Sequence, residues 1–290
     1  MRFASTIRTI AIAGVALALP LPLAAQDCDR SCLEGMVTSY VDALVAGDPS
    51  GLPLADTVKV TQDSTAIELG EGLFEEELEA STFRQDYLDT QAQVAASHVS
   101  LQHGDETVLL SLALHVEDSR IAGIETLVQR VDAESRFQPT ELGRPIRGMN
   151  AVVPAGRRMS RADLAATALT YTEGLRIGNF TDGGTPFADE AYRVENGVIT
   201  AGEGCFGSIC GMYDQRVILH QQIVASVIAV DEENSTVLLW MNFGDNGAYG
   251  PGDALVTFEG FKVWGGEIHA INAFFRMLPS RTPRYWNSAE

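Results

Sequence analysis

Several of the usual carriers of chemistry are missing from this sequence. It has no Gly-rich phosphate loop, no Ser nucleophile elbow and no His-Glu-x-x-His helix, which removes the common nucleotide-binding, α/β-hydrolase and zinc-protease readings. Asp245-Asn246-Gly247 and Gly250-Pro251-Gly252-Asp253 do not match the spacing of a calcium loop and read as a long hairpin loop. Basic residues are scarce: 20 Lys and Arg against 39 Asp and Glu leave a formal charge of −19. Such a surface repels nucleic acid and anionic membranes, so neither is expected as a partner. There are four cysteines, at spacings that do not suit a four-cysteine zinc site. No metal and no cofactor is expected.

What is present begins with an exported N-terminus. Arg2 and Arg8 precede an apolar run, Ile10 to Leu19, followed by Pro20, Pro22, Ala24 and Ala25. The run is too short for a membrane span and reads as a secretory signal peptide, residues 1–25, cleaved after Ala25. Its loss removes two arginines and no acids, taking the formal charge to −21. The remainder is expected in the periplasm or outside the cell, free of the membrane. With 46% apolar residues, the chain can build two ordinary cores.

An internal repeat organises that remainder. Leu33, Tyr40, Leu44 and Gly47 align at one constant offset with Leu164, Tyr171, Leu175 and Gly178. Pro53-Leu54-Ala55-Asp56 then matches Pro186-Phe187-Ala188-Asp189, and Gly70-Glu71-Gly72 matches Gly202-Glu203-Gly204. Near each end, Ile121 and Ile124 match Ile268 and Ile271. The chain therefore divides into a first domain (26–131), a linker (132–159), a second domain (160–278) and a C-terminal tail (279–290).

Each copy opens with helical periodicity that stops at a glycine, Gly47 or Gly178. Ser31 with Glu34, and Ser160 with Asp163, stand in capping positions. A shorter acidic helix is expected from Glu75 to Leu88. Strands follow at Val94–Leu101, Thr107–Val116 and Ile121–Val131. In the second copy they fall at Val217–Val230, Thr236–Phe243, Leu255–Val263 and Ile268–Phe275. The linker, rich in Pro, Gly and Arg, is expected to lie across both domains, with Arg136, Arg144, Arg147, Arg157 and Arg158 adhering to acidic surfaces.

A long helix, a short helix, then a meander closing on a hairpin and final strand resembles the nuclear transport factor 2-like, or SnoaL-like, cone. The implied fold class is α+β: two tandem cones, each with helices packed on a curved antiparallel sheet. The N-terminal cysteine at the first helix, the tandem copy and the stretch Tyr192-Arg193-Val194-Glu195-Asn196-Gly197 are further similar to an exported family of unknown function, of DUF8021 type. In SnoaL-like cyclases a His and an Asp two residues apart follow the last hairpin. Here the aligned positions are Ile271 and Ala273, and in the first copy Ile124 and Thr126, so that acid/base pair is missing twice.

Candidates remain within the second copy. Strand alternation puts His269 on the same face as Ile271 and Ala273, where a histidine could serve as general base. Tyr171, on the inward helix face, corresponds to the tyrosine with which steroid-isomerase-like members hold an enolate; Tyr40 matches it in the first copy. His220 and Trp240 could line the same cavity. Trp240, Phe243, Phe258, Ile271, Ala273 and Phe275 offer walls for a small apolar or aromatic molecule. Three readings follow: an exported small-molecule binder; a cofactor-independent lyase, isomerase or hydrolase using His269 or His220 with Tyr171; and an assembly module forming homo-oligomers through open sheet faces.

Export favours disulfides. Of the three possible pairings, the local ones are expected: Cys28 with Cys32, and Cys205 with Cys210. The protein should therefore take up no alkylating agent before reduction and four equivalents after it, counted by intact mass. Labelling before reduction would rule out at least one bridge.

Overall fold

The computed structural model describes residues 27–142, 148–205, 207, 209–215 and 217–287. Residues 1–25, Arg144 and Arg147 lie outside the described residues. Both long helices form where the periodicity puts them. Helix α1 (Arg30–Ala46) and helix α2 (Arg161–Ile177) each stop at a left-handed glycine, Gly47 with φ 64° and Gly178 with φ 76°, whose amides close on the last turn's carbonyls. Ser160 caps α2, accepting from the Asp163 amide while its hydroxyl donates to the Asp163 carboxylate. Helix α1 is capped by Asp29 instead of Ser31; Ser31 sits in the first turn and donates to Asp29. An ionised carboxylate is the stronger acceptor for amides at a helix start.

Each helix lies on a six-stranded sheet. The first copy contributes β1 (Leu54–Gln62), β2 (Thr65–Ala66), β3 (Glu79–Asp89), β4 (Val94–His103), β5 (Glu106–Glu117) and β6 (Arg120–Val131). The second contributes β7 (Phe187–Glu195), β8 (Val198–Ala201), β9 (Val224–Asp231), β10 (Thr236–Asn242), β11 (Asp253–Trp264) and β12 (Glu267–Pro279). Strand order is β2-β1-β6-β5-β4-β3 in one sheet and β8-β7-β12-β11-β10-β9 in the other, the same topology twice. All neighbours are antiparallel except β1 with β6 and β7 with β12. The repeat extends to detail. Asp63 and Asn196, both with positive φ, accept the amides of Val128 and Phe275 and so tie the first hairpin of each copy to its last strand.

The expected helix from Glu75 to Leu88 is a strand. After a single 3-10 turn at Gly72–Glu75, Phe83, Gln85 and Tyr87 are buried on one face while Arg84 and Asp86 are not, a period of two. Likewise the strand expected from Val217 begins only at Val224, leaving 217–223 as a loop across the second cone. Strands β1 and β7 had no sequence counterpart in the expectations. Among the described residues each copy has one α-helix, its shorter helical pieces being 3-10 turns.

The sheets' inner faces pack on their own helices, and their outer faces pack on each other. Leu33, Val37, Tyr40 and Leu44 meet Leu110, Leu112 and Leu114 in one core, while Leu164, Tyr171 and Leu175 meet Leu239, Phe261 and Ile271 in the second. A third core lies between the sheets, where Phe83, Tyr87, Leu109 and Leu127 face Trp240, Phe258 and Phe274. The sheet faces expected to join separate molecules are thus covered within one chain. Gly260 is part of this fit, because a Cβ there would overlap the Tyr87 ring. His98 stacks on Phe274 and approaches the Tyr87 hydroxyl and the Asn272 amide through Nδ1; burial pushes it down to about 3, so it is neutral.

Two reciprocal ion pairs close the seam. Arg30, first residue of α1, reaches across to Asp231 at the end of β9 with contacts of 2.7 and 2.9 Å. Arg161, first residue of α2, reaches back to Asp89 at the end of β3 at 2.7 and 2.5 Å. Both aspartates are fully buried, and each accepts an amide from the opposite sheet: Asp231 from Leu88, Asp89 from Val230. This is the geometry of a twofold dimer within one polypeptide.

The connecting segments cross the same seam. Asn150 of the linker accepts from Gln85 in the first copy, while Phe137 packs on Phe275 and Arg157 covers Trp264 in the second. Beyond β12 the tail returns to the first copy: Arg284 pairs with Glu125 at 3.0 Å, Lys59 donates to the Tyr285 carbonyl, and Trp286 stacks on His115 at 3.7 Å over Gly123.

Replacing Arg161 by Met leaves the Asp89 carboxylate buried without its cation and should cost about 3–5 kcal/mol in urea unfolding. Arg30→Met should cost a similar amount. A loss under about 1 kcal/mol for both would show that the pairs do not hold the seam.

Candidate functional site

The inner face of the second sheet is largely apolar, and three ionisable side chains interrupt it. On β11, Leu255, Phe261 and Val263 point into the cone, and Glu259 shares their phase, with only 2% of its surface exposed. On β7, Tyr192 and Val194 face the other sheet, which turns Arg193 and Glu195 inward. Arg193 donates through Nη1 to the Tyr171 hydroxyl at 2.9 Å and through Nε to Thr200 at 3.0 Å, and Glu195 lies 3.4 Å from its Nε. Tyr171, Arg193 and Glu195 line a cavity of about 120 Å³ together with Leu175, Phe180, Gln215, Phe243 and Leu255, with Val217, Ile218, His220 and Tyr249 at its mouth.

The electrostatics follow from burial. Glu259 is pushed up to about 8, first by desolvation and then by the Glu195 charge, against the pull of Arg193 and of the nearby Tyr171 hydroxyl. Its Oε1 has no partner. Tyr171 is raised well above the phenol range by desolvation, with Arg193 opposing. His220 is lowered to about 4, mainly by desolvation. Its neutral form is also fixed by its neighbours. The Asn246 amide nitrogen donates to Nδ1 at 2.9 Å and to the Leu219 carbonyl, while Asn246 Oδ1 accepts from Ala248, so Nδ1 must be bare. Nε2 then faces the Tyr249 hydroxyl at 3.3 Å.

The first copy supplies an internal comparison. Arg193 pairs in register with Ile271, as Val60 does with Ile124; Glu195 and Glu259 flank Ala273, as Gln62 and Leu112 flank Thr126. Where the second cone has Arg, Glu and Glu, the first has Val, Gln and Leu. Tyr40 accordingly meets Phe74 edge-on at 5.7 Å inside an apolar core.

Of the residues expected at the site, the structure brings together Tyr171, His220 and Phe243 around the cavity, with Ile271 and Phe275 in the core of the same cone. Ala273 is buried beside Glu259 on the neighbouring strand. Trp240 and Phe258 lie instead in the core between the sheets, because the alternation that turns Leu239, Met241 and Phe261 inward turns these two outward. His269 is displaced by a bulge: Lys262 pairs with Ala270 and Val263 with Ile268, so His269 falls out of the ladder and the expected alternation breaks. Its ring stacks on Trp264 at 3.7 Å and bonds Glu190 at 2.7 Å. Glu190 belongs to the wall of a separate, wider cleft of about 610 Å³ outside the cone. Cys28 with Cys32, and Cys205 with Cys210, form the two local bridges, with Cα separations of 5.2 and 5.8 Å.

Arg193, Glu195, Glu259 and Tyr249 were missed. The available signal was Glu259 itself, a carboxylate in phase with the apolar Leu255, Phe261 and Val263. Among the described residues no cluster of three or more His, Cys, Asp or Glu could hold a metal, and no helix is long and apolar enough to cross a membrane.

Residues 157–275, the second copy, match the family model described as a domain of unknown function (DUF8021). The resemblance drawn from the sequence is therefore met in this half of the chain. No curated protein matches. Matching solved structures include a de novo designed protein with a curved β-sheet, 15% identical over 35% of this chain and 88% of that one, TM-score 0.29. They also include a Kribbella flavida DSM 17836 protein whose ketosteroid isomerase assignment is provisional, 17% identical over 39% of this chain and 95% of that one, TM-score 0.29.

The folded state keeps on Glu259 a proton that the unfolded chain releases near the ordinary 4.5. Below that value both states are protonated; above it the unfolded chain binds fewer protons, so this group lowers stability as pH rises towards about 8. Glu259→Gln removes that contribution. Relative to wild type, the variant should gain on the order of 1 kcal/mol per pH unit across the window in urea unfolding. A difference independent of pH would mean that Glu259 is ionised in the fold.

Proposed function

We propose that this is an exported protein whose second domain binds a small, largely apolar or aromatic molecule in its cone, the first domain serving as a structural partner. One observation carries the reading: the partly buried Arg193 and Glu195 and the buried Glu259 stand where the first cone has Val60, Gln62 and Leu112. Buried ionisable groups are costly and a filled apolar core needs none of them, so their presence beside a cavity argues for a ligand. Export is supported by the two disulfides and by the signal-like residues 1–25.

A second reading, cofactor-independent proton transfer, is favoured by Glu259. A carboxyl raised to about 8 stores a proton near neutral pH, and the Tyr171 hydroxyl, polarised by Arg193, could relay it to a developing oxyanion. In this reading Glu259 is the acid and a solvent water takes the α-proton, so neither His269 nor His220 has the general-base role expected of it.

Cyclohexanone tests both readings by NMR in D2O. Saturable shifts in the wild type that are lost in Leu255→Trp, which fills the cavity, support binding; no saturable shift in the wild type would sink it. Exchange of the α-hydrogens that falls about 100-fold in Glu259→Gln supports proton transfer. Exchange at the solvent rate in the wild type would leave binding alone.

A further inference from the structure

The second cone is electrically closed. Arg193 and Glu195 have side chains only 12% and 23% exposed and lie 3.4 Å apart, one cation against one anion. The other ionisable groups facing them are Tyr171, Tyr249, His220 and, beneath Tyr171, Glu259. The His220 contacts described above require an uncharged ring, and burial keeps Tyr171 and Glu259 protonated. The apolar walls offer no counter-charge, so an ion entering alone loses its hydration and gains no unpaired partner. A neutral molecule meets no such penalty. The cavity, at about 120 Å³, is of the same order as the roughly 150 Å³ pocket that accommodates benzene, so a single ring is the group it suits.

We propose that Glu195 sets the ligand selectivity of this cone, balancing Arg193 so that the cavity accepts uncharged single-ring molecules and rejects ions of either sign. The inference rests on the cone being a binding cavity. Removing the anion of the pair leaves Arg193 unbalanced, and the site then prefers an anion. Removing the cation leaves Glu195 unbalanced, and it then prefers a cation. Arg193 keeps its hydrogen bonds to Tyr171 and Thr200 when Glu195 is replaced, so the guanidinium stays in place.

The test uses phenol, benzoate and benzylammonium as probes of one ring size and three charges, titrated by NMR at neutral pH into the whole protein and two variants. Wild type should bind phenol at least about tenfold more tightly than either ion. Glu195→Gln should shift the benzoate-to-phenol ratio towards benzoate by about tenfold or more, and Arg193→Gln should do the same for benzylammonium. The second variant keeps the proposal exposed if the first fails to fold. Phenol binding to wild type with both ratios unchanged in the folded variants overturns the role of Glu195 and leaves the cavity reading standing. Wild type that binds either ion as well as phenol also overturns it. Failure of all three probes to bind wild type overturns the cavity reading itself.

Discussion

Everything else in this molecule is arranged around two curved sheets facing one another, with Asp89 and Asp231 buried close together where β3 meets β9. A sheet with helices on one face only has a second face to cover, and in this chain each copy covers the other. Trp240, Phe258 and Phe274 are removed from water together with Phe83 and Tyr87, at about 2–3 kcal/mol per large side chain. Apolar burial alone would let the sheets slide. Asp89 and Asp231 prevent that, because each requires an arginine and an amide from the other copy to offset its desolvation.

From that constraint the site follows. With the outer faces engaged, only the inner faces are left to differ between copies, and they do. The first is filled by Leu110, Leu112 and Leu114 beneath Tyr40. The second carries Arg193 and Glu195 on a small cavity, with Glu259 buried two strands away. The loop at 217–223 and the Tyr249 hairpin cover its mouth, joined through the neutral His220. A cone with a partly covered mouth, a polar floor and mostly apolar walls is suited to holding one edge of a small molecule in a defined orientation.

Much of the fold was legible because the repeat is carried by residues with strong local meaning: Gly47 and Gly178 as helix stops, Ser160 with Asp163 as a cap, and hairpin-separated β-rich runs. The acidic stretch before Leu88 misled because its many glutamates suggested a helix, while the decisive signal was the two-residue phase of Phe83, Gln85 and Tyr87. The candidate site was legible only in part. Tyr171 and His220 do line the cavity, but His269 depended on unbroken alternation along β12, and a bulge at that residue is set by how β11 pairs with it. Arg193 and Glu195 stood out only within the Tyr192–Gly197 stretch and not as site residues, because β7 has weak strand character and is held by its parallel pairing with β12. The seam arginines looked like ordinary helix-start residues, since their partners lie 201 and 72 positions away.

Joining the two copies in one polypeptide has a consequence for how the site could arise. In a symmetric homodimer every substitution appears twice, so a carboxyl as unfavourable as Glu259 would burden both cones at once. With the copies tethered, the partner face is present at a fixed effective concentration whatever the amount of protein, and a change in one half has no image in the other. The first copy can then remain a well-packed support, and the whole stability margin of the pair is available to a single cone that departs from good packing.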